Sequence, residues 1–176
     1  IRHELDFEID GLRLERHYHS IAQFASASGL GGGWTHNYDS RIIGVTPPWV
    51  DPSEASVYAI DSNGQFDQFK FANATGGLTT YRSINRKTQL LRKRGTPLMW
   101  ELQLDEHRTN FYDASNDLPL SGKLLKIADR SQLANDQTLT YDQRGRLVSV
   151  QNARGRKIEF TYSGWTLSKV RAPDGQ

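Results

Sequence analysis

With 176 residues, the chain is long enough for one domain with its own core, since about 100–200 residues per domain is usual. Hydrophobic residues make up 36%, below the roughly 45–50% common in soluble domains (a figure that also counts Gly), while 4 Trp, 7 Tyr and 7 Phe make aromatics plentiful, a mixture suited to strands with one wet face. A net charge of +2 lacks the concentrated basic footprint of a nucleic-acid binder, the absence of Cys removes disulfides and Cys-based zinc sites, and no run approaches the ~18 apolar residues of a membrane span.

Leu5, Phe7 and Ile9 alternate with charged residues, Asp10-Gly11 follows, and Leu12 and Leu14 alternate with Arg13 and Glu15. Period-two alternation on both sides of Asp-Gly is a strong hairpin signal, because a type I′ turn needs positive φ at both central residues. A two-residue loop pairs Ile9 with Leu12 and Phe7 with Leu14. All the apolar side chains then share one face, and Glu4, Asp6, Glu8, Arg13, Glu15, His17 and His19 share the other, which should be wet.

Residues 21–27 are the best short helix candidate, and residues 26–33, ending in Gly31-Gly32-Gly33, read as a loop. Trp34, His36 and Tyr38 resume strand-like alternation, which Pro47, Pro48 and Pro52 interrupt. A second hairpin is expected around Ser62-Asn63-Gly64, with a loop of two to four residues, between residues 57–60 and the run of Phe66, Phe69 and Phe71. Residues 72–97 are weakly patterned and hold Arg86, Lys87, Arg92, Lys93 and Arg94. Residues 99–104 and 108–112 read as strands, and no long stretch carries a helical period.

The last third repeats itself. Gly122-Lys-Leu-Leu-Lys-Ile127 recurs as Gly145-Arg-Leu-Val-Ser-Val150, and without its Gly as Trp165-Thr-Leu-Ser-Lys-Val170. Leu139-Thr-Tyr141-Asp142 recurs as Phe160-Thr-Tyr162-Ser163. A period of about 20–23 residues fits two short strands and two turns, so each unit reads as one β-hairpin. One hairpin alone is marginal in water, and hairpins side by side bury a continuous face.

Tyr141-Asp142-Gln-Arg-Gly145-Arg146-Leu147-Val-Ser-Val150 resembles the YDxxGRLxxV signature of YD repeats, and Asn152, Gly155, Arg156, Phe160 and Tyr162 resemble its sequel NxxGRxxxFxY. Upstream, Leu14-Glu-Arg16-His-Tyr18-His-Ser20 resembles the LxRxYxS motif of the domain that precedes RHS repeats. The segment with Gly31, Gly33, Trp34, His36, Tyr38 and Asp39 resembles its GxGWxHxYD continuation. Both blocks stand in the expected order, covering the first 40 and last 55 residues, and the middle resembles the family only in general pattern. The family includes bacterial Rhs proteins, the C component of Tc toxins, wall-associated proteins and teneurins.

The resemblance implies an all-β fold in which consecutive antiparallel hairpins form a curved, twisted segment of an RHS/YD shell. It divides the chain into an RHS-preceding β-rich domain at 1–121 and YD repeats at 122–176. The implied function is structural: a segment of a secreted bacterial shell that encapsulates and helps deliver a C-terminal toxin domain. Its partners would be the rest of the shell, the toxin, and a secretion apparatus or adaptor protein, with no nucleic acid, no membrane span and no cofactor. The location would be secreted, extracellular or cell-surface. The chain lacks an initial Met and stops at Pro173-Asp174-Gly175-Gln176 within a repeat, so it is expected to be a piece of a longer protein whose open sheet edges invite self-association. The alternative is an extracellular module that binds carbohydrate or protein.

Candidate chemistry is sparse, and no enzymatic role is expected. His17 and His19 point the same way on a strand and can hold a metal only with a further ligand; alternation favours a solvated face. Trp34, His36 and Tyr38 can form a sugar-stacking platform, but packing is the commoner use of such aromatics. The basic residues from Arg86 to Arg94 read as a solvated loop rather than an anion site. Tyr141 and Asp142 recur with the repeat, which favours a packing role for Tyr141 and a turn role for Asp142, since Asp accepts backbone N–H groups at turns. No nucleophile elbow, P-loop, zincin helix or EF-hand loop is present.

Overall fold

The computed structural model describes residues 2–18, 29–31, 33–45, 56–86, 90–115 and 119–175. The expected helix at 21–27, together with His19, Gly32, Pro47, Pro48, Pro52 and Lys87, lies outside the described residues. The regular structure of the described residues is nearly all β, arranged as antiparallel sheets of consecutive strands.

A three-stranded sheet comes first, in the order β1 (Arg2–Ile9), β2 (Leu12–Tyr18) and β3 (Trp34–His36). The β1–β2 turn has Asp10 and Gly11 at φ 52° and 79°, and the pairs Ile9–Leu12 and Phe7–Leu14 form as the alternation requires. Beyond Phe7 the expected pattern fails. Asp6 is bulged out, so Leu5 faces Glu15 and His3 faces His17. Leu5 thereby comes opposite Glu15 and is 55% exposed, while His17, expected on a wet face, has His3 edge-on against its ring and is only 4% exposed.

A twelve-stranded meander follows, in chain order from β4 to β15. Its strands are β4 (Arg41–Val45), β5 (Ser56–Ile60), β6 (Phe66–Thr75), β7 (Leu78–Ser83), β8 (Leu90–Arg94) and β9 (Met99–Gln103). They continue with β10 (Arg108–Asp113), β11 (Leu124–Asp129), β12 (Gln137–Tyr141), β13 (Leu147–Asn152), β14 (Lys157–Ser163) and β15 (Thr166–Arg171). The weakly patterned stretch therefore holds β7, β8 and the end of β6. The basic residues Arg92, Lys93 and Arg94 sit on strand β8 rather than in a loop: Arg94 pairs with Glu101 at 2.6 Å and Lys93 lies over the Trp100 ring.

The meander is open, not closed into a barrel. It nevertheless coils far enough for its two long edges to touch. Arg41, at the start of β4, bridges to Lys123, just before β11, and the Ile42 N–H donates to Gly122 O at 2.8 Å. In a meander these strand starts belong to opposite edges, so the contact is that of a spiralling strip. Gly122 permits it. Its φ is +76°, and a Cβ there would lie 2.0 Å from Ile42 O.

One apolar core runs along the strip, from Ile42, Val57 and Phe69 through Leu91 and Leu124 to Val150, Ile158 and Phe160. Leu12 and Leu14 of the small sheet join it, as does Tyr38. The small sheet thus covers part of the buried face, as a sheet with one apolar side must be covered.

Candidate functional site

Three turns of the meander share one chemistry. Asp142 Oδ1 accepts the N–H groups of Arg144 and Arg146, both at 2.9 Å, while Asp142 Oδ2 takes the Arg146 guanidinium. Asn152 Oδ1 accepts Arg154 and Arg156 N–H in the same way, and Asp61 Oδ1 accepts Asn63 and Gln65 N–H. In all three turns the Gly three residues on donates its N–H to the carbonyl of the Asp or Asn. The Ser62-Asn63-Gly64 hairpin therefore has a five-residue turn, 61–65, with Ile60 paired to Phe66. Its Asp61-x-x-Gly64 spacing equals that of Asp142-x-x-Gly145, a signal present in the sequence. Asp105 likewise accepts the N–H groups of His107 and Arg108 and so caps its own turn.

Tyr and a cation link successive hairpins. Tyr141 Oη donates to Leu124 O at 2.7 Å, with Lys123 Nζ over its ring at 5.3 Å. One repeat later, Tyr162 Oη donates to Leu147 O at 3.0 Å, with the Arg146 guanidinium over its ring at 4.9 Å. Each cation also donates to the next turn, Lys123 to Gly145 O and Arg146 to Gly164 O. Burial pushes the Tyr141 hydroxyl far up and that of Tyr162 up to about 12, so both remain donors. Lys123 is a partner that the sequence reading passed over; it stands after Gly122 as Arg146 stands after Gly145.

The upstream residues seat against this ladder. His36, Tyr38 and Asp39 line a cavity of about 70 Å³ together with Lys123, Tyr141, Gly145, Leu147 and Tyr162. His36 is fully buried, and burial drives its imidazole down to about 4, so at neutral pH its Nδ1 accepts the Tyr38 N–H, at 3.3 Å. The His36 ring lies 5.6 Å from that of Phe160. Asp39 Oδ2 is buried without a hydrogen-bond partner among the described residues. Burial pushes its carboxyl up to about 7 despite the opposing pull of Arg41 and Lys123.

A second clasp holds the turn of the first hairpin. Asn152 Nδ2 donates to Asp10 O at 2.8 Å, Gln137 Nε2 donates to Gly11 O at 3.0 Å, and Arg156 pairs with Asp10 at 3.2 Å. Gly155 sits inside the Asn152 turn. Sequence patterns do not single out Asp10 as a receptor for Arg156, because the two are distant in the chain.

The remaining motif residues shape the small sheet. Arg16 grips the bulged Asp6 with two bonds of 2.7 Å and lies 5.3 Å over Trp34, and Trp34 in turn packs at a tilt against Tyr18. Gly33 is buried just before β3. With His36 and Tyr38 buried, Trp34, His36 and Tyr38 do not form an open stacking platform.

Residues 1–69 match the family model described as a domain of unknown function, DUF6531. The match spans the small sheet and ends within β6. No curated protein matches the chain.

Among the described residues no helix is long and apolar enough to cross a membrane. The arrangement is built from packing, capping and ion pairing, with polar side chains spent on holding turns and strands in place.

Proposed function

We propose that the chain is a wall segment of a hollow RHS/YD shell, with residues 122–176 as its first YD repeats and the upstream residues seated on them. The reading is supported above all by the 70 Å³ cavity, where His36, Tyr38 and Asp39 of one motif block meet Tyr141, Gly145, Leu147 and Tyr162 of the other. A device that repeats, as the Tyr–cation ladder does, suits a wall that extends by adding hairpins. The coil of the strip gives that wall its curvature.

In this reading the shell is secreted or displayed by a bacterium, and it encloses a C-terminal toxin domain until delivery. The rest of the shell and its cargo are the chain's neighbours. The test is limited proteolysis of the longer protein that carries this segment. The C-terminal domain should resist protease in the intact protein and become sensitive when the wall is opened with denaturant below its unfolding midpoint. Equal digestion of the C-terminal domain alone and in the intact protein would refute enclosure.

A further inference from the structure

The Asp6 bulge assembles a group that the regular alternation would keep apart. In the unbulged register His3 would face Tyr18; with Asp6 looped out it faces His17, and Glu15 lies on the same side of β2 two residues earlier. A ligating atom of each of His3, Glu15 and His17 lies within 4.8 Å of those of the other two. The two imidazoles meet edge to face, with their Nδ1 atoms 2.7 Å apart, and Glu15 Oε1 is 3.5 Å from His3 Nδ1. Glu15 Oε2 is held by Arg13 at 2.6 Å, which leaves Oε1 turned toward the histidines.

We propose that His3, Glu15 and His17 form a binding site for a borderline divalent cation such as Zn²⁺. Two imidazole nitrogens and one carboxylate oxygen match the donor set of zinc sites that keep a position open to solvent. A cavity of about 500 Å³ lined by all three residues lies beside them and gives room for that solvent ligand. The nitrogens must part from 2.7 Å to about 3.3 Å to share a tetrahedral ion. His3 supplies this movement, because its side chain is 47% exposed and it stands on the edge strand β1, whereas His17 is buried and fixed. Arg16 has a positioning role, since its grip on Asp6 maintains the bulge. The site does not depend on the shell reading, for it lies wholly within the first hairpin.

Calorimetric titration of the purified protein with ZnCl₂ tests the proposal. One equivalent should bind saturably, His3→Ala should weaken it by about tenfold or more, and Glu15→Gln should weaken it less. His107→Ala, at an exposed histidine elsewhere, should leave it unchanged. His3 is exposed, so its variant should keep the fold, checked by its melting temperature without metal. Co²⁺ should give visible absorption bands in the wild type that His3→Ala loses. No saturable binding, or equal affinity in wild type and His3→Ala, would overturn the proposal and leave the histidines as a hydrogen-bonded pair.

Discussion

Gly122→Ala is expected to destabilise the protein by roughly 3–6 kcal/mol, a large share of the roughly 5–15 kcal/mol that holds an ordinary domain folded. Three effects combine. A non-Gly residue held at positive φ costs about 1–2 kcal/mol. Overpacking adds about 1–3 kcal/mol, because the new Cβ would stand 2.0 Å from the Ile42 carbonyl and backbone cannot swing aside as a flexible side chain can. Any shift that relieves the clash breaks the Ile42 N–H bond to Gly122 O, worth about 1 kcal/mol. Gly155→Ala is the matched control: its φ is +81°, but the nearest atom to its Cβ is the end of the Gln151 side chain, at 3.8 Å. It should cost about 1–2 kcal/mol. Both substitutions reduce unfolded-chain entropy alike, so the difference between their urea-denaturation free energies isolates the edge-to-edge contact. Equal losses would mean that the coil does not depend on that contact.

Asp39→Asn is expected to stabilise the protein above neutral pH and to change its pH dependence. The folded carboxyl titrates at about 7, above its ordinary 3.8, because burial disfavours the charge. The folded state therefore binds more protons than the unfolded chain between those values, and the stability tied to Asp39 falls as pH rises from about 4 to about 7. At about 1.4 kcal/mol per pH unit, the loss approaches an upper limit of roughly 4 kcal/mol. His36 acts in the opposite sense. Its folded value of about 4 lies below its ordinary 6.5, so its contribution is lost as pH falls through that window. The two slopes oppose each other in the wild type. The informative quantity is the stability difference between Asp39→Asn and wild type, which should grow from pH 4 to pH 8. A difference independent of pH would contradict the buried carboxylate.

Local chemistry was legible in the residues, and long-range geometry was not. The first hairpin's pairing followed from alternation around Asp10-Gly11, and the repeat announced the hairpins of the last third. The Asp6 bulge was hidden because Leu5-x-Phe7 keeps the alternating pattern, and the Arg16 bonds that hold the bulged Asp6 span ten residues. Strands β7 and β8 escaped detection because their faces differ little in polarity, so neither period stands out. The shared cavity unites residues about a hundred positions apart, and the contact of Gly122 with Ile42 depends on how tightly the eight strands β4–β11 coil. Neither has a signature in spacing. The motif residues themselves were visible as blocks, while the contacts that join the blocks required the fold.

Electron cryo-microscopy of the shell protein proposed to contain this segment tests the central claim most directly. The account predicts that β4–β15 form a stretch of one continuous coiled sheet, that a following strand pairs with the outer edge of β15, and that the coil surrounds a closed lumen. A β15 edge left open, or a segment standing apart from any enclosing sheet, would contradict it.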